Sequence, residues 1–130
     1  MHQTPQQPPK PGHSLARSFH FAFSGLAFFF KTQRNARIEI LLAAIACGLG
    51  AWLRIARLQW AVLVLTIALV LILEGINTAI EAAVDLASPQ RHPLAKAAKD
   101  LAAAMVLIAA IASALVGIII LGPALLQKLR

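Results

Sequence analysis

Cysteine occurs once in the 130 residues, at Cys47, so neither an intrachain disulfide nor a cysteine metal cluster can organise the chain. Cys47 lies within an apolar run and is expected to be a small packing residue. Charge is also scarce: 13% of residues are charged against 59% hydrophobic, and the mean hydropathy is +0.75. A soluble domain of this size could not cover its surface with so few polar groups. Lipid is therefore the expected solvent.

Several nucleotide and metal signatures are missing as well. The sequence has no glycine-rich phosphate loop ending in Gly-Lys-Ser or Gly-Lys-Thr, no protein-kinase signature and no His-Glu-x-x-His run, which excludes the enzyme classes built on them. No secretory leader is expected, because Thr4 to Gly12 is rich in Pro and Gln and the apolar run Phe19 to Phe30 lacks a small-residue cleavage site. The formal net charge of +7 raises the question of nucleic acid. The twelve basic residues are scattered along the chain and form no single basic face, so no nucleic-acid partner is expected.

Three apolar stretches remain, Ile38 to Leu53, Trp60 to Ile80 and Leu101 to Leu126, each near the length of about 20 residues that a helix needs to cross a bilayer. The expected fold is an all-α membrane protein. Before the spans, Leu15, Phe19, Phe23, Leu26 and Phe30 fall within about 80° of one another at helical spacing, with Arg17, His20, Ser24 and Lys31 opposite. This pattern predicts an amphipathic helix lying in the interface. The expected organisation is a disordered Pro/Gln-rich tail over 1–13, the interfacial helix and its connector over 14–37, and the three spans over 38–130.

Lys10, Arg17, Lys31, Arg34 and Arg37 precede the first span and Arg91, Lys96 and Lys99 follow the second, while Arg54, Arg57, Lys128 and Arg130 lie toward the other side. This excess predicts a cytoplasmic N-terminus and a cytoplasmic second loop. Trp52 and Trp60 flank the short first loop as interfacial anchors. Ala102, Ala103, Ala104, Ala109, Ala110, Ser113 and Gly117 make the third span rich in small residues, which permit close helix approach in lipid.

The most informative stretch is Glu74, Asn77, Glu81 and Asp85, at i, i+3, i+7 and i+11. On a helix these four form a stripe about 80° wide, with Ile76, Ile80 and Ala83 on the other side. A carboxylate at the bilayer centre costs roughly 2.5–3.5 kcal/mol and less toward the interface. Asp85 is explained as a solvated helix-exit residue paired with basic loop residues, but Glu74, deeper and close to Asn77, calls for a function. Across the loop, Lys96, Lys99 and Asp100 place two cations and another carboxylate near the same membrane surface. Carboxylates can hold Mg²⁺ together with substrate phosphates, a Lys can neutralise phosphate, and a spare Glu can take a proton from a hydroxyl. The set points to phosphoryl chemistry on a membrane substrate. The competing reading is a small oligomeric transporter or proton pathway through Glu74, which leaves the loop-side cluster without a role.

The Glu-x-x-Asn-x-x-x-Glu run (Glu74, Asn77, Glu81), Asp85 and Ala98-Lys99-Asp100 resemble the small prokaryotic diacylglycerol kinase family, which includes undecaprenol kinases. The resemblance covers roughly Ser14 to Leu121. It implies a homotrimer in the bacterial inner membrane, with active sites shared between neighbouring subunits. It also implies transfer of the γ-phosphate of ATP to a lipid hydroxyl with Mg²⁺ as cofactor. By the same resemblance Glu74 is the general base, Asn77 belongs to the catalytic polar site and Glu81 is a metal ligand. Lys99 and Asp100 are implied near ATP, and Gln90, Arg91 and His92 in the loop that contacts nucleotide. Where the family carries a second metal-binding Glu this chain has Gln33, which offers a neutral oxygen instead of a charge. Glu39 lies a turn and a half further on as the alternative. The loop from Ser88 to Lys96 looks closer to the undecaprenol kinase branch.

Overall fold

The computed structural model describes residues 14–88 and 92–130. The expected tail, 1–13, and Pro89, Gln90 and Arg91 lie outside them. The described chain is helical almost throughout: α1 Leu15–Thr32, α2 Arg34–Leu53, α3 Arg57–Ala87 and α4 Pro93–Leu129. The last three are long and apolar enough to cross a membrane. Such a span meets every backbone hydrogen bond within itself, as a solvent of hydrocarbon demands.

Each spanning helix is longer than its apolar stretch. The first begins at Arg34 instead of Ile38, the second runs past Ile80 to Ala87, and the third starts at Pro93, ahead of Leu101. Polar flanks such as Arg34, Asn35 and Arg37 end a hydropathy window but do not end a helix, because the backbone still gains by bonding to itself. α3 and α4, with 31 and 37 residues, measure roughly 46 and 55 Å at about 1.5 Å per residue. Both outrun a hydrocarbon core of about 30 Å, so their polar ends stand outside it.

The helix boundaries have local causes. Ser14 Oγ accepts the Arg17 N–H at 3.3 Å and caps α1. Gln33, extended at φ −92 and ψ 113, is the single residue between α1 and α2. α4 opens on Pro93, whose missing N–H would be unpaired in a first turn anyway. His92 Nδ1 accepts the Leu94 N–H at 3.2 Å and caps that end. On α1, Leu15, Phe19, Phe23 and Leu26 are exposed while Phe29 is buried, so the helix rests on the bundle by its end and presents the expected apolar face outward.

The described core lies at the α2–α3 turn. Ile55, Leu63 and Ile120 are buried, with Trp60, Leu53 and Val116 packed around them. Arg54 makes the turn in the left-handed region at φ 55, and the Ile55 N–H bonds back to Gly50 O at 3.2 Å. Lys128, from the end of α4, places Nζ 5.3 Å from the Trp52 ring centroid and 3.4 Å from the Trp52 carbonyl. This ties the third span to the turn.

Gly50 is required by this packing. A methyl at its Cα would lie 3.0 Å from Ile55 Cδ1 and 3.3 Å from two carbons of the Trp60 ring. Gly50→Val is expected to destabilise the protein by about 1–3 kcal/mol through overpacking, read as a lower melting temperature in detergent. Gly48→Val, where no atom lies within 4 Å of the added methyl, is the control and should melt near the parent temperature.

Candidate functional site

At the opposite end, near the α3–α4 connection, the three spans part around a cavity of about 400 Å³. α3 supplies Glu74, Asn77 and Glu81, the polar stripe expected from spacing. α4 supplies Ala103, Val106, Leu107 and Ala110, and α2 supplies Asn35, Ile38 and Glu39. Small and aliphatic residues of α4 thus face carboxylates and amides of α2 and α3.

Glu74 is 3% exposed and Asn77 9% exposed. Asn77 Nδ2 donates to Glu81 Oε1 at 3.2 Å, which joins two positions of the stripe across one turn. The Asn77 Oδ1 and one Glu39 oxygen, Oε2, are buried with no hydrogen-bond partner. Buried acceptors left without donors cost about 1–3 kcal/mol each, so both atoms are able to accept a hydrogen bond or meet a positive charge.

Glu39 is the residue that the sequence reading left outside its main assignment. The structure turns it into the cavity with Asn35, one turn back on the same face of α2. The signal was present: an ionisable residue inside a spanning helix, with an amide at i−4, is a functional hypothesis in itself. Gln33 is half-buried at the α1–α2 junction, where its backbone N–H donates to Phe29 O at 2.9 Å. It is not among the residues lining the cavity.

Lys99 lies one turn from Ala103 toward the loop, so it continues the cavity-facing side of α4. Its Nζ bonds to Asp85 Oδ1 on α3, the basic partner expected for a helix-exit carboxylate. Asp100 pairs with Lys96 at i, i+4 instead. Both pairs are largely exposed and contribute at most about 1 kcal/mol each. His92 serves as the cap of α4, and Gln90 and Arg91 fall outside the described residues.

The donor set bears on which metal could be accommodated. Among the described residues, no three of His, Cys, Asp and Glu come together as the closed cage of a structural zinc site. Mg²⁺ asks for less, one or two carboxylates beside substrate oxygens. Glu81, with the orphaned amide oxygen of Asn77 close by on the same stripe, fits that requirement.

Known proteins are similar to this chain over most of its length. The family model for prokaryotic diacylglycerol kinase matches residues 20–121. A diacylglycerol kinase of Synechocystis is 46% identical over 115 residues, covering 88% of this chain and 66% of that protein. An undecaprenol kinase of Bacillus subtilis is 37% identical over 109 residues, 84% of this chain and 89% of its own. A diacylglycerol kinase of Escherichia coli is 32% identical over 107 residues, 82% and 88% of the two chains. With its three spanning helices and a match over most of its length, this chain belongs to the prokaryotic diacylglycerol kinase family.

Proposed function

We propose that the protein is an ATP-dependent kinase that transfers the γ-phosphate to the hydroxyl of a membrane lipid, either diacylglycerol or undecaprenol. The observation that carries this reading is Glu74, a carboxylate 3% exposed inside a spanning helix, facing a cavity shared with Glu39, Asn77 and Glu81. The names of the relatives, diacylglycerol kinase and undecaprenol kinase, support the reaction class.

Each residue has a role that its position allows. Glu74 lies seven residues before Glu81, roughly 10 Å along the axis and away from the α3–α4 connection. It is placed to take the proton of a lipid hydroxyl entering from the hydrocarbon side. Asn77, between them, orients Glu81 through its amide N–H. Glu81 and, at the α1–α2 junction, Gln33 would hold Mg²⁺, which when bound offsets the negative charge of the phosphates. Lys99 would add a positive charge beside the transferring group. Its bond to Asp85 keeps the ammonium at the cavity end of α4. Asp100, with Gln90, Arg91 and His92 of the connecting loop, would bound the nucleotide.

Eight basic residues against four favour a cytoplasmic N-terminus and α3–α4 connection, the side where ATP is available. The broad exposed apolar faces of the spans, Leu65, Leu107 and Ile119 among them, suit lipid and neighbouring copies. A homotrimer with sites shared between subunits is the assembly this reading adopts.

The direct test is incubation of purified protein with labelled ATP, Mg²⁺ and each lipid in micelles. Labelled lipid is expected, and its absence with both acceptors would refute the kinase reading. Glu74→Gln is expected to lower turnover by about 10²–10⁴-fold, the range of general-base catalysis, with the melting temperature and ATP affinity retained. Near-parent turnover in that variant would remove Glu74 from the chemistry. Glu81→Gln should raise the Mg²⁺ concentration for half-maximal rate, and Gln33→Glu should lower it; unchanged Mg²⁺ titrations would place the metal elsewhere. Lys99→Met should raise the KM for ATP or depress turnover well beyond Asp85→Asn, which removes the same ion pair but keeps the ammonium. Equal effects in the two variants would show that the pair acts on structure alone.

A further inference from the structure

Below the polar cavity, farther from the α3–α4 connection, lies a second one of about 290 Å³. The two share Glu39 and Ala110. Ala43 and Ala46 of α2, Leu63 and Val70 of α3, and Ala114 and Gly117 of α4 wall it. From Glu39 to Ala46, from Val70 to Leu63 and from Ala110 to Gly117 is seven residues each, about 10 Å of depth on all three helices. Its floor is shared with the buried core, since Leu63 belongs to that cluster and Ala46 packs against it. It is an apolar, half-open chamber that adjoins the carboxylate-lined cavity at Glu39 and Ala110.

We propose that this chamber receives the hydrocarbon joined to the acceptor hydroxyl, and that it suits a polyprenyl alcohol in preference to a diacylglycerol. The inference rests on the lipid-kinase reading and goes on to name the acceptor's class. The chemistry is that of the first few atoms beyond the hydroxyl. In a polyprenyl alcohol the hydroxymethyl carbon is attached directly to branched hydrocarbon. In a diacylglycerol the next carbons bear two esters, whose carbonyl oxygens lose their water on entering an apolar space. Apart from Glu39, an acceptor when ionised, Ser113 is the one polar side chain on the chamber wall. A single hydroxyl cannot satisfy two ester carbonyls, whereas methyl-branched hydrocarbon needs no donor at all.

The wall is also built from small residues where a branched chain needs width. No atom lies within 4 Å of a methyl added at Gly117, so the space before that residue is open. A leucine there would start from an unobstructed Cβ on the chamber wall, and it would keep the helix apolar.

The test uses the full chain in micelles with labelled Mg-ATP and two acceptors, farnesol as a short isoprenoid alcohol and dioctanoylglycerol. The parent protein should show the higher kcat/KM with farnesol. Gly117→Leu should lower the farnesol-to-dioctanoylglycerol ratio of kcat/KM by at least about tenfold, the discrimination that small volume changes give in an apolar pocket, with KM for ATP unchanged. A parent preference for dioctanoylglycerol, or a ratio that Gly117→Leu leaves alone, would overturn the proposal. So would a joint loss of both activities with an altered oligomer on chemical cross-linking, since the chamber would then seat a second copy of the chain. A diazirine-bearing farnesol analogue separates this inference from the reaction itself. Photolabelling at Ala43 to Ala46 or Ala114 to Gly117, competed by farnesol, supports the chamber even in a protein that phosphorylates neither acceptor, and labelling confined to the outer lipid-facing surface refutes it.

Discussion

A carboxylate is costly to keep in a membrane-spanning helix unless the surrounding helices part to make room for it, and this constraint organises the whole bundle. Glu74 sits 3% exposed on α3, with Asn77 and Glu81 continuing its stripe and Glu39 arriving from α2. The insertion cost of such groups, up to about 2.5–3.5 kcal/mol each at the bilayer centre, falls when they face one another across a polar cavity instead of facing lipid tails. Spans that packed tightly along their whole length would leave no such cavity. Close packing is accordingly concentrated at the other end, where Ile55, Leu63 and Ile120 meet Trp60.

The division between the two ends also assigns the small residues. Alanines and glycines in a span are ordinarily read as contacts that let helices touch. Gly50 follows that rule against Ile55 and Trp60, but Gly117 has no atom within 4 Å of an added methyl. The same residue type therefore closes one place, on α2, and leaves another open, on α4. A stripe of small residues in the sequence does not say which it will be.

The helices, their order and the polar stripe were legible because each rests on a periodic or compositional signal carried by a single helix. Leu15 to Phe30 and Glu74 to Asp85 are such signals. The boundaries at Arg34 and Pro93 were less so, since hydropathy marks where lipid begins and not where backbone hydrogen bonding stops. Glu39 was the larger omission. Its contribution depends on α2 packing beside α3, a long-range fact that spacing within α2 cannot express. The pairing of Lys99 with Asp85 in preference to its neighbour Asp100 has the same origin. Adjacent residues on a helix point about 100° apart, so the partner came from the facing helix.

The clasp of Lys128 on Trp52 has a mechanical consequence. It fastens the end of α4 to the α2–α3 turn beside the buried core, whereas near the far ends of α3 and α4 the Lys99–Asp85 ion pair lies where water can replace it at little cost. The bundle is thus fastened unevenly, riveted at the turn and, toward the other end, bridged by an ion pair that water can loosen.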